Sequence, residues 1–351
     1  MIRKFTKEIL QVWLNKKDYK KIISIIIAYR NFIFFNKSFL KKFTTQKLKL
    51  KKINQDLIII SQIQRSGGTL LSQLFDTHPE IHSYPSELKL TNPKHDWTKK
   101  FNFTTFYNDQ LLVSSAKYNN YKKDGFGLKK NLIINKFKFD FFLQKKIFED
   151  LDVKNDLRTK LNAYFTSFFN SFLNYNNNNN LKKYIIAFLP RFIFKLENLD
   201  LFFSSYKNGK ILSIIRSPKS WLSSSINHSE IYKKSPLKAL MLWKINALRT
   251  INAKRKFGSN IIIIDFDDLI DNTENTMKKL CKDLNIKFHK TLKVPSFNGE
   301  IIRSNSSFNS VHGKIDKKTL KRKLSNQDII NCGTMLYECN IIKNDILKLK
   351  I

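Results

Sequence analysis

The stretch that decides the fold reads Asp56-Leu-Ile-Ile-Ile-Ser-Gln-Ile63, then Gln64-Arg-Ser-Gly-Gly-Thr69, then Leu70-Leu-Ser-Gln-Leu-Phe75. A continuous β-branched run of this length predicts a strand that is buried on both faces, as in a parallel sheet. The small residues after it predict a tight loop, and the apolar residues from Leu70 onward recur at helical spacing. The order strand, tight loop, helix is typical of the first unit of an α/β sheet.

Three further apolar runs have strand length and cover Tyr184–Leu189, Ile211–Ile215 and Ile261–Ile264. A helical pattern around Phe194–Phe203 separates the first two, and an amphipathic helical pattern follows Asn272. Repeated alternation of strands and helices predicts a doubly wound parallel sheet. We therefore predict an α/β protein with a P-loop-like, three-layer fold around a central parallel sheet.

Other stretches precede, interrupt or follow this alternation. Residues 1–55 are rich in Lys and predict a mostly helical lead-in, and residues 326–351 predict a C-terminal helical extension. Between Asn92 and Lys183 the pattern is irregular and contains the homopolymer Asn176–Asn180, which predicts a solvated loop within a helical cap. We place the main domain at residues 56–325, with the cap inserted at about 92–183.

The 351-residue chain has a formal charge of +36 at pH 7. Clustered Lys and Arg would indicate nucleic acid or an anionic membrane as a partner. Here the lysines are spread along the whole chain among Asn, Ile and Phe, and neither a zinc-knuckle nor an aromatic RNA-binding motif accompanies them. We therefore expect no nucleic-acid partner, whereas an excess of positive charge suits a polyanionic cofactor.

The location of the protein is indicated by its cysteines and by its N-terminal segment. The apolar run from Ile22 to Phe35 is short, is interrupted by Arg30 and Asn31, and has no small-residue cleavage site after it. A helix packed on the domain is the preferred interpretation, and a helix on a membrane surface is the alternative. We expect a cytoplasmic protein, because the cysteines are too few and too unevenly placed for a disulfide framework or a Cys-rich metal site: Cys281, Cys332 and Cys339.

The loop between the first strand and its helix has the composition of a phosphate cradle. Gly67 and Gly68 let the backbone wrap closely around an anion, and Arg65, Ser66 and Thr69 add donors. An ATP-type P-loop ends in Gly-Lys-Ser/Thr so that a hydroxyl can hold Mg²⁺, and here no Lys precedes Thr69. The motif therefore requires no metal.

The residues from Arg65 to Ile81, followed by Ser86-Glu87, resemble the 5′-phosphosulfate loop of sulfotransferases that use 3′-phosphoadenosine 5′-phosphosulfate (PAPS). The tyrosylprotein and bacterial branches are the most similar. The resemblance implies that Arg65 contacts the sulfate and the bridging phosphate, and that the loop through Leu70 binds the cofactor. It also implies that Glu87 is the general base that acts on the acceptor.

A second segment, Ile211–Ser224, resembles the 3′-phosphate site of the same family. By this resemblance Arg216, at the end of a strand, and Ser224, in the following helix, both bind that phosphate. The spacing has a physical reason, because a strand end and the second turn of the next helix face one crevice above the sheet. Arg216 would supply planar, charge-assisted hydrogen bonds, and Ser224 a compact donor.

Weaker resemblances lie nearer the C-terminus. Ile261–Ile270 is similar to the family's strand and acidic segment before the last helix. Phe297-Asn-Gly299, Arg303–Phe308 and His312–Ile315 resemble the loop that covers the nucleotide, which implies that Arg303 binds the cofactor.

The sequence departs from the family at one position. In the segment Ala187-Phe188-Leu189-Pro190-Arg191 the family usually has a Lys two residues before the proline, and this chain has Phe188. The family's Lys helps to stabilise the leaving phosphate or the transferred sulfuryl group. Three explanations are open: Arg191 takes over this role, Arg65 suffices, or the enzyme is slow. We expect Arg191 to be catalytic.

The resemblance implies a PAPS-dependent sulfotransferase that modifies a hydroxyl or an amine of a carbohydrate, lipid or protein, with no metal. A P-loop kinase would need a Walker lysine and magnesium ligands, which the sequence lacks. A non-catalytic protein that binds nucleotides or polyanions is the alternative, and the missing Lys at Phe188 favours it. The acceptor and the oligomeric state are not identified by the sequence.

Overall fold

The computed structural model describes residues 50–88, 141–151, 156–175, 182–302, 313, 315 and 324–350. The chain divides into two compact units, of which one comprises Met1–Ile53, Asn102–Lys154 and Lys160–Asn174, and the other the remaining residues. The N-terminal apolar run, the Asn homopolymer and Arg303 lie outside the described residues. The domain limits at residues 55, 92, 183 and 325 therefore stay predictions.

A five-stranded, fully parallel sheet organises the larger unit. Its strands in chain order are β1 (Asp56–Ile60), β2 (Ile81–Glu87), β3 (Tyr184–Phe188), β4 (Lys210–Ile215) and β5 (Ile261–Asp265). They lie side by side in the order β2-β3-β1-β4-β5. The predicted α/β fold around a central parallel sheet is thus confirmed, and four of the strands lie where the apolar runs predict them.

Strand β2 was missed by the sequence analysis. Its residues, Ile81–Glu87, mix polar and apolar side chains and include Pro85, which lacks the N–H that an interior strand would donate. The strand lies at the edge of the sheet, where proline is tolerated. It pairs with β3 through Ile81, His82 and Ser83 and again at Glu87, with an irregularity between these pairings.

Among the helices of the described residues, two exceed twenty residues. In chain order they are α1 (Gly68–Leu74), α2 (Phe141–Asp150), α3 (Leu157–Ser171), α4 (Leu196–Ser205), α5 (Pro218–Ile226), α6 (Glu230–Lys234), α7 (Pro236–Phe257), α8 (Phe266–Asp271), α9 (Thr273–Asp283) and α10 (Asn326–Lys348). A small antiparallel hairpin is formed by β6 (Ser296–Phe297) and β7 (Glu300–Ile301). Within the described residues, no helix is both long and apolar enough to cross a membrane.

Helices cover both faces of the sheet and make a three-layer structure. On one face Leu212 and Ile214 of β4 pack with the apolar residues of α1, α8 and α9. On the other face Ile215 of β4 packs with those of α5, α7 and α10. Because side chains alternate between the faces of a strand, a continuous apolar run such as β4 fills both cores.

Helix α3 contributes buried aromatic side chains to the smaller unit. Tyr164 and Phe168 of α3 are buried, and the rings of Phe168 and Phe169 meet edge to face with their centroids 5.2 Å apart. The N–H of Ile53 donates to Thr166 Oγ1 at 2.9 Å, which ties the start of the described chain to this helix.

The strand order creates a crevice between β1 and β4. From β1 the chain crosses to the side of β3 and β2, and from β4 it crosses to β5 on the other side. In open α/β sheets ligands bind at such a reversal, outside the carboxyl ends of the strands. The loop after β1 and Arg216 after β4 both lie at this point.

The central strand should be the most sensitive part of the sheet. Ile59 of β1 is completely buried, so Ile59→Ala should lower the free energy of unfolding by about 2–5 kcal/mol, because it leaves a cavity. Ile330 of α10 is 73% exposed, and Ile330→Ala should change it by less than about 0.5 kcal/mol. Urea titrations followed by circular dichroism measure both values, and equal losses would contradict the assigned core.

Candidate anion site at the carboxyl edge of the sheet

Two glycines allow close packing around the loop after β1. Gly67 has a φ of +95°, in the left-handed region, and a Cβ there would lie 2.6 Å from the ring of Phe266. A Cβ on Gly68 would lie 1.9 Å from Gln62 Nε2 and 2.6 Å from Phe188 Cε2. Side chains at either position would therefore displace the surrounding groups, which is the close packing expected of a cradle loop.

The structure brings three of the predicted binding residues together. Arg216 donates Nη1 to the carbonyl oxygen of Arg65 at 2.9 Å. Arg65 in turn donates Nε to Ser224 Oγ at 3.3 Å. The two predicted phosphate sites, one after β1 and one after β4, are thus neighbours at one edge of the sheet.

Arg216 is buried and held from two further directions. Its Nε donates to Ser220 Oγ at 2.9 Å, and its guanidinium lies over the ring of Phe266 at 4.5 Å from the ring centre. Burial, with a smaller contribution from the positive charge of Arg65, lowers the pKa of Arg216 to about 10. Burial also lowers the pKa of Arg65. A buried cation beside a half-buried one is costly unless an anion joins them, so the pair has the electrostatics of an anion site.

The acidic residues next to Arg216 are neutralised by another helix. Lys343 of α10 lies 3.2 Å from Asp267 Oδ2 and 3.4 Å from Asp265 Oδ2. Asp265 also accepts the N–H of Asp267 at 2.9 Å and so caps α8. Within the described part of the chain, no carboxylate forms an ion pair with Arg216, although the negative charge of Asp267 acts to raise the pKa of Arg216.

Two tryptophans that the sequence analysis did not single out fix the backbone of the site. Trp221 donates Nε1 to the carbonyl oxygen of Gln64 at 2.8 Å, next to Arg65. Trp243 donates Nε1 to the carbonyl oxygen of Arg216 at 3.1 Å. A buried indole N–H needs an acceptor, and carbonyls at strand ends are available ones. That requirement is the signal by which Trp221, four residues into the helix after Arg216, could have been found.

The loop also contains buried polar atoms without partners. Ser66 is 1% exposed, and its hydroxyl has no hydrogen-bond partner. Gln62 is fully buried, and neither Nε2 nor Oε1 has one. Such atoms are rare in native proteins, and beside a glycine loop they fit an anion with several acceptor oxygens.

Arg191 lies beside the loop but is held by other side chains. It follows β3 and has a φ of 65°, uncommon for a residue other than glycine. Its Nε donates to Gln64 Oε1 at 2.5 Å and its Nη2 to Tyr232 Oη at 3.1 Å. Arg191 is therefore coupled to the residue that precedes Arg65.

Glu87 ends β2 at the same sheet edge as the cradle loop. It is half-buried and lies opposite Phe188 of β3. Strands are spaced by about 4.8 Å, so the backbone at Glu87 is about 10 Å from the end of β1, two strands away. The end of β3 lies between the carboxylate and the loop.

A buried carboxylate anchors the hairpin that precedes Arg303. Asp76 Oδ2 accepts the hydroxyl of Ser296 at 2.7 Å and the N–H of Gly299 at 2.9 Å. Burial raises the pKa of Asp76, while these hydrogen bonds act in the opposite direction. The predicted role of Arg303 falls outside the described residues.

A metal site would require several ligand side chains close together. In the part of the chain that the structure describes, no group of three or more His, Cys, Asp or Glu side chains is arranged to hold an ion. The cysteines Cys281, Cys332 and Cys339 are buried and free. The expectation that no metal is needed stays a prediction.

Comparison with known proteins points to one family. A family model described as "Sulfotransferase family" matches residues 57–290. No curated protein sequence is significantly similar to the chain. Among solved structures, the chain is 17% identical to the sulfotransferase domain from the curacin biosynthetic pathway, covering 81% of this chain and 98% of that one with a TM-score of 0.43. The sulfotransferase domain of the Synechococcus PCC 7002 olefin synthase is 16% identical, over 84% and 97% of the chains with a TM-score of 0.46. A mouse sulfotransferase complexed with PAP (3′-phosphoadenosine 5′-phosphate) is 14% identical, covering 84% of this chain and 90% of that one with a TM-score of 0.37.

The anion site predicts a loss of anion binding when Arg216 is replaced. Arg216→Met keeps a long side chain but removes the positive charge and the hydrogen bonds to Ser220 and to the Arg65 carbonyl. The ligand-free variant should remain folded but unfold at a lower temperature, because these acceptors lose their donor, while its affinity for pyrophosphate should fall about tenfold or more. Differential scanning fluorimetry at constant ionic strength measures both. Arg249→Met, on the exposed surface of α7, is the matched control. A full pyrophosphate shift in Arg216→Met would contradict the site.

Proposed function

Because the chain belongs to the sulfotransferase family, we propose that it transfers a sulfuryl group from PAPS to a hydroxyl or amine of an acceptor. The observation that carries the proposal is the contiguous set formed by Arg65, Ser224 and Arg216. PAPS carries anions at two ends of one nucleoside, and this set offers cations from two strand ends at one crevice. The unpartnered hydroxyl of Ser66 supports the fit, because it can donate to an anion without losing another partner.

Each predicted residue has a separate part in this proposal. The loop Arg65–Leu70 would bind the 5′-phosphosulfate, with Ser66 and Thr69 as hydroxyl donors and Gly67 and Gly68 providing close backbone approach. Arg216 and Ser224 would bind the 3′-phosphate, and Arg303 would contact the nucleotide from the loop after the hairpin.

The reaction is an in-line displacement at sulfur. Glu87 takes the proton of the acceptor O–H or N–H, and the lone pair of that atom forms a bond to sulfur. The bond between sulfur and the bridging oxygen breaks, and its electrons remain on the 5′-phosphate of the product, 3′-phosphoadenosine 5′-phosphate (PAP). Fixed positive groups contribute most at this stage, because charge builds up on that oxygen. The general base contributes about two to four orders of magnitude.

Incubation with ³⁵S-labelled PAPS and a mixture of carbohydrate, lipid and phenolic acceptors tests the proposal. We expect a labelled acceptor together with PAP, and a Glu87→Gln variant that binds PAP normally but has a kcat about 10²–10⁴ lower. Glu197→Gln, on an exposed position of α4, is the matched control and should keep full activity. Absence of any PAP affinity in the wild type would refute the proposal, and PAP binding without transfer would favour a non-catalytic nucleotide-binding role.

Arg191 supplies a second test, because we propose that it replaces the family's Lys. Arg191→Ala should lower kcat by about 10–100-fold and change the Kd for PAP by less than about threefold, since the charge acts mainly in the transition state. Lys207→Ala, at an exposed position, is the control. Similar losses in the two variants would show that the effect is not specific to Arg191.

A further inference from the structure

Gln62 is the least expected side chain of the loop region. It follows β1, is completely buried, and leaves both its amide nitrogen and its amide oxygen without a partner. Each unpaired buried polar atom destabilises the folded state. An apolar residue of the same length would avoid this cost, so the amide needs an explanation other than packing.

The position of the amide is defined by Gly68. In the loop pattern G-x-x-x-x-G-K-[ST], the residue before the Ser or Thr is the Lys that reaches the β- and γ-phosphates. Here Gly68 stands at that place, one residue before Thr69. A Cβ on Gly68 would meet Gln62 Nε2 at 1.9 Å, so the amide nitrogen fills the space from which a side chain at residue 68 would begin.

A second cation is missing from the same space. Phe188, where the related sulfotransferases usually have Lys, has its ring edge 2.6 Å from the same Cβ position. The guanidinium of Arg191 donates to Gln64 and Tyr232. The side-chain hydrogen-bond donor that lies next to Gly68 is therefore the neutral amide of Gln62.

We propose that the Gln62 amide N–H donates to an oxygen of the sulfuryl group of PAPS and, beside Gly68, orients that group as the lysine of the ATP-type loop orients a phosphate, while Arg191 keeps the electrostatic role proposed above. The proposal rests on the proposed function and names a further catalytic residue for it. The amide orients the transferred group without giving up a proton. The acceptor atom bonds to sulfur, the sulfur–oxygen bond to the 5′-phosphate breaks, and the donated N–H stays on Gln62 throughout.

A neutral donor suits this position electrostatically. Arg216, which is buried, and Arg65, which is half-buried, already place two cations at the loop, and each disfavours a further charge nearby. An amide contributes a directed hydrogen bond to a charged oxygen without adding to that repulsion. The hydroxyl of Ser66, which is also unpartnered, would share the binding of the same anion.

The affinities for two ligands, PAPS and PAP, distinguish this role of Gln62 from a structural one. Gln62→Met removes the donor but keeps the length of the side chain, so the ligand-free variant should unfold at the wild-type temperature or above. Its Kd for PAPS should rise about tenfold, whereas its Kd for PAP, which lacks the sulfuryl group, should change less than about threefold. Isothermal titration calorimetry without acceptor measures both. Gln62→Leu also removes the donor and leaves no buried polar atom unpaired, so it should show the same selective loss of PAPS affinity and gives a second variant if the first does not fold.

The control is Ser171→Ala, which removes a different buried and unpartnered hydroxyl, in α3, and should leave both Kd values unchanged. A Gln62→Met variant with the wild-type ratio of the two Kd values would overturn the role of Gln62 while leaving the proposed function intact. A wild-type protein that binds neither nucleotide would instead overturn the proposed function, and the role of Gln62 with it.

Discussion

The hydrogen bond from the buried guanidinium of Arg216 to the carbonyl oxygen of Arg65 is the constraint on which the site depends. It joins the loop after β1 to the end of β4, the two strands between which the chain reverses direction. A buried cation must satisfy its donors, and here three groups do so in part: the Arg65 carbonyl, the Ser220 hydroxyl and the ring of Phe266. Arg65 cannot change its backbone conformation without leaving Arg216 short of an acceptor.

Rigid groups around this bond keep the two cations close although they repel each other. The indoles of Trp221 and Trp243 hold the carbonyl oxygens of Gln64 and Arg216, the residues that begin the two loops. Lys343 forms ion pairs with the neighbouring carboxylates of Asp265 and Asp267. The structure thus uses core packing to keep positive charge concentrated, which is the preorganisation that group transfer to or from an anion requires.

The sequence predicted the parts of this arrangement that are local and missed those that are tertiary. Short, mainly apolar runs identified β1, β3, β4 and β5, since strands buried on both faces are predominantly apolar. The proximity of Arg65 and Arg216 followed from the rule that parallel strands end at one edge. Strand β2 has no such run, because an edge position tolerates Pro85 and polar residues.

The same distinction applies to individual site residues. Arg65 and Ser224 belong to recognisable spacings, whereas Gln62 belongs to no pattern. Its significance depends on the absence of a side chain at Gly68 and on the ring of Phe188, and neither contact can be read from a linear sequence.

Charge explains why a chain that is rich in lysine would have none at the centre of its loop. Arg65, Arg216 and Arg191 already approach the loop from three directions, the last through Gln64. Like charges held a few ångströms apart repel most strongly where water is excluded, so a fourth cation would either lose its proton or loosen the loop. A carboxamide has neither consequence, and its two N–H groups point in fixed directions. If Gln62 has the role proposed for it, the departures from the lysine patterns at Gly68 and Phe188 form one coherent change, in which attraction comes from the arginines and orientation from an uncharged donor.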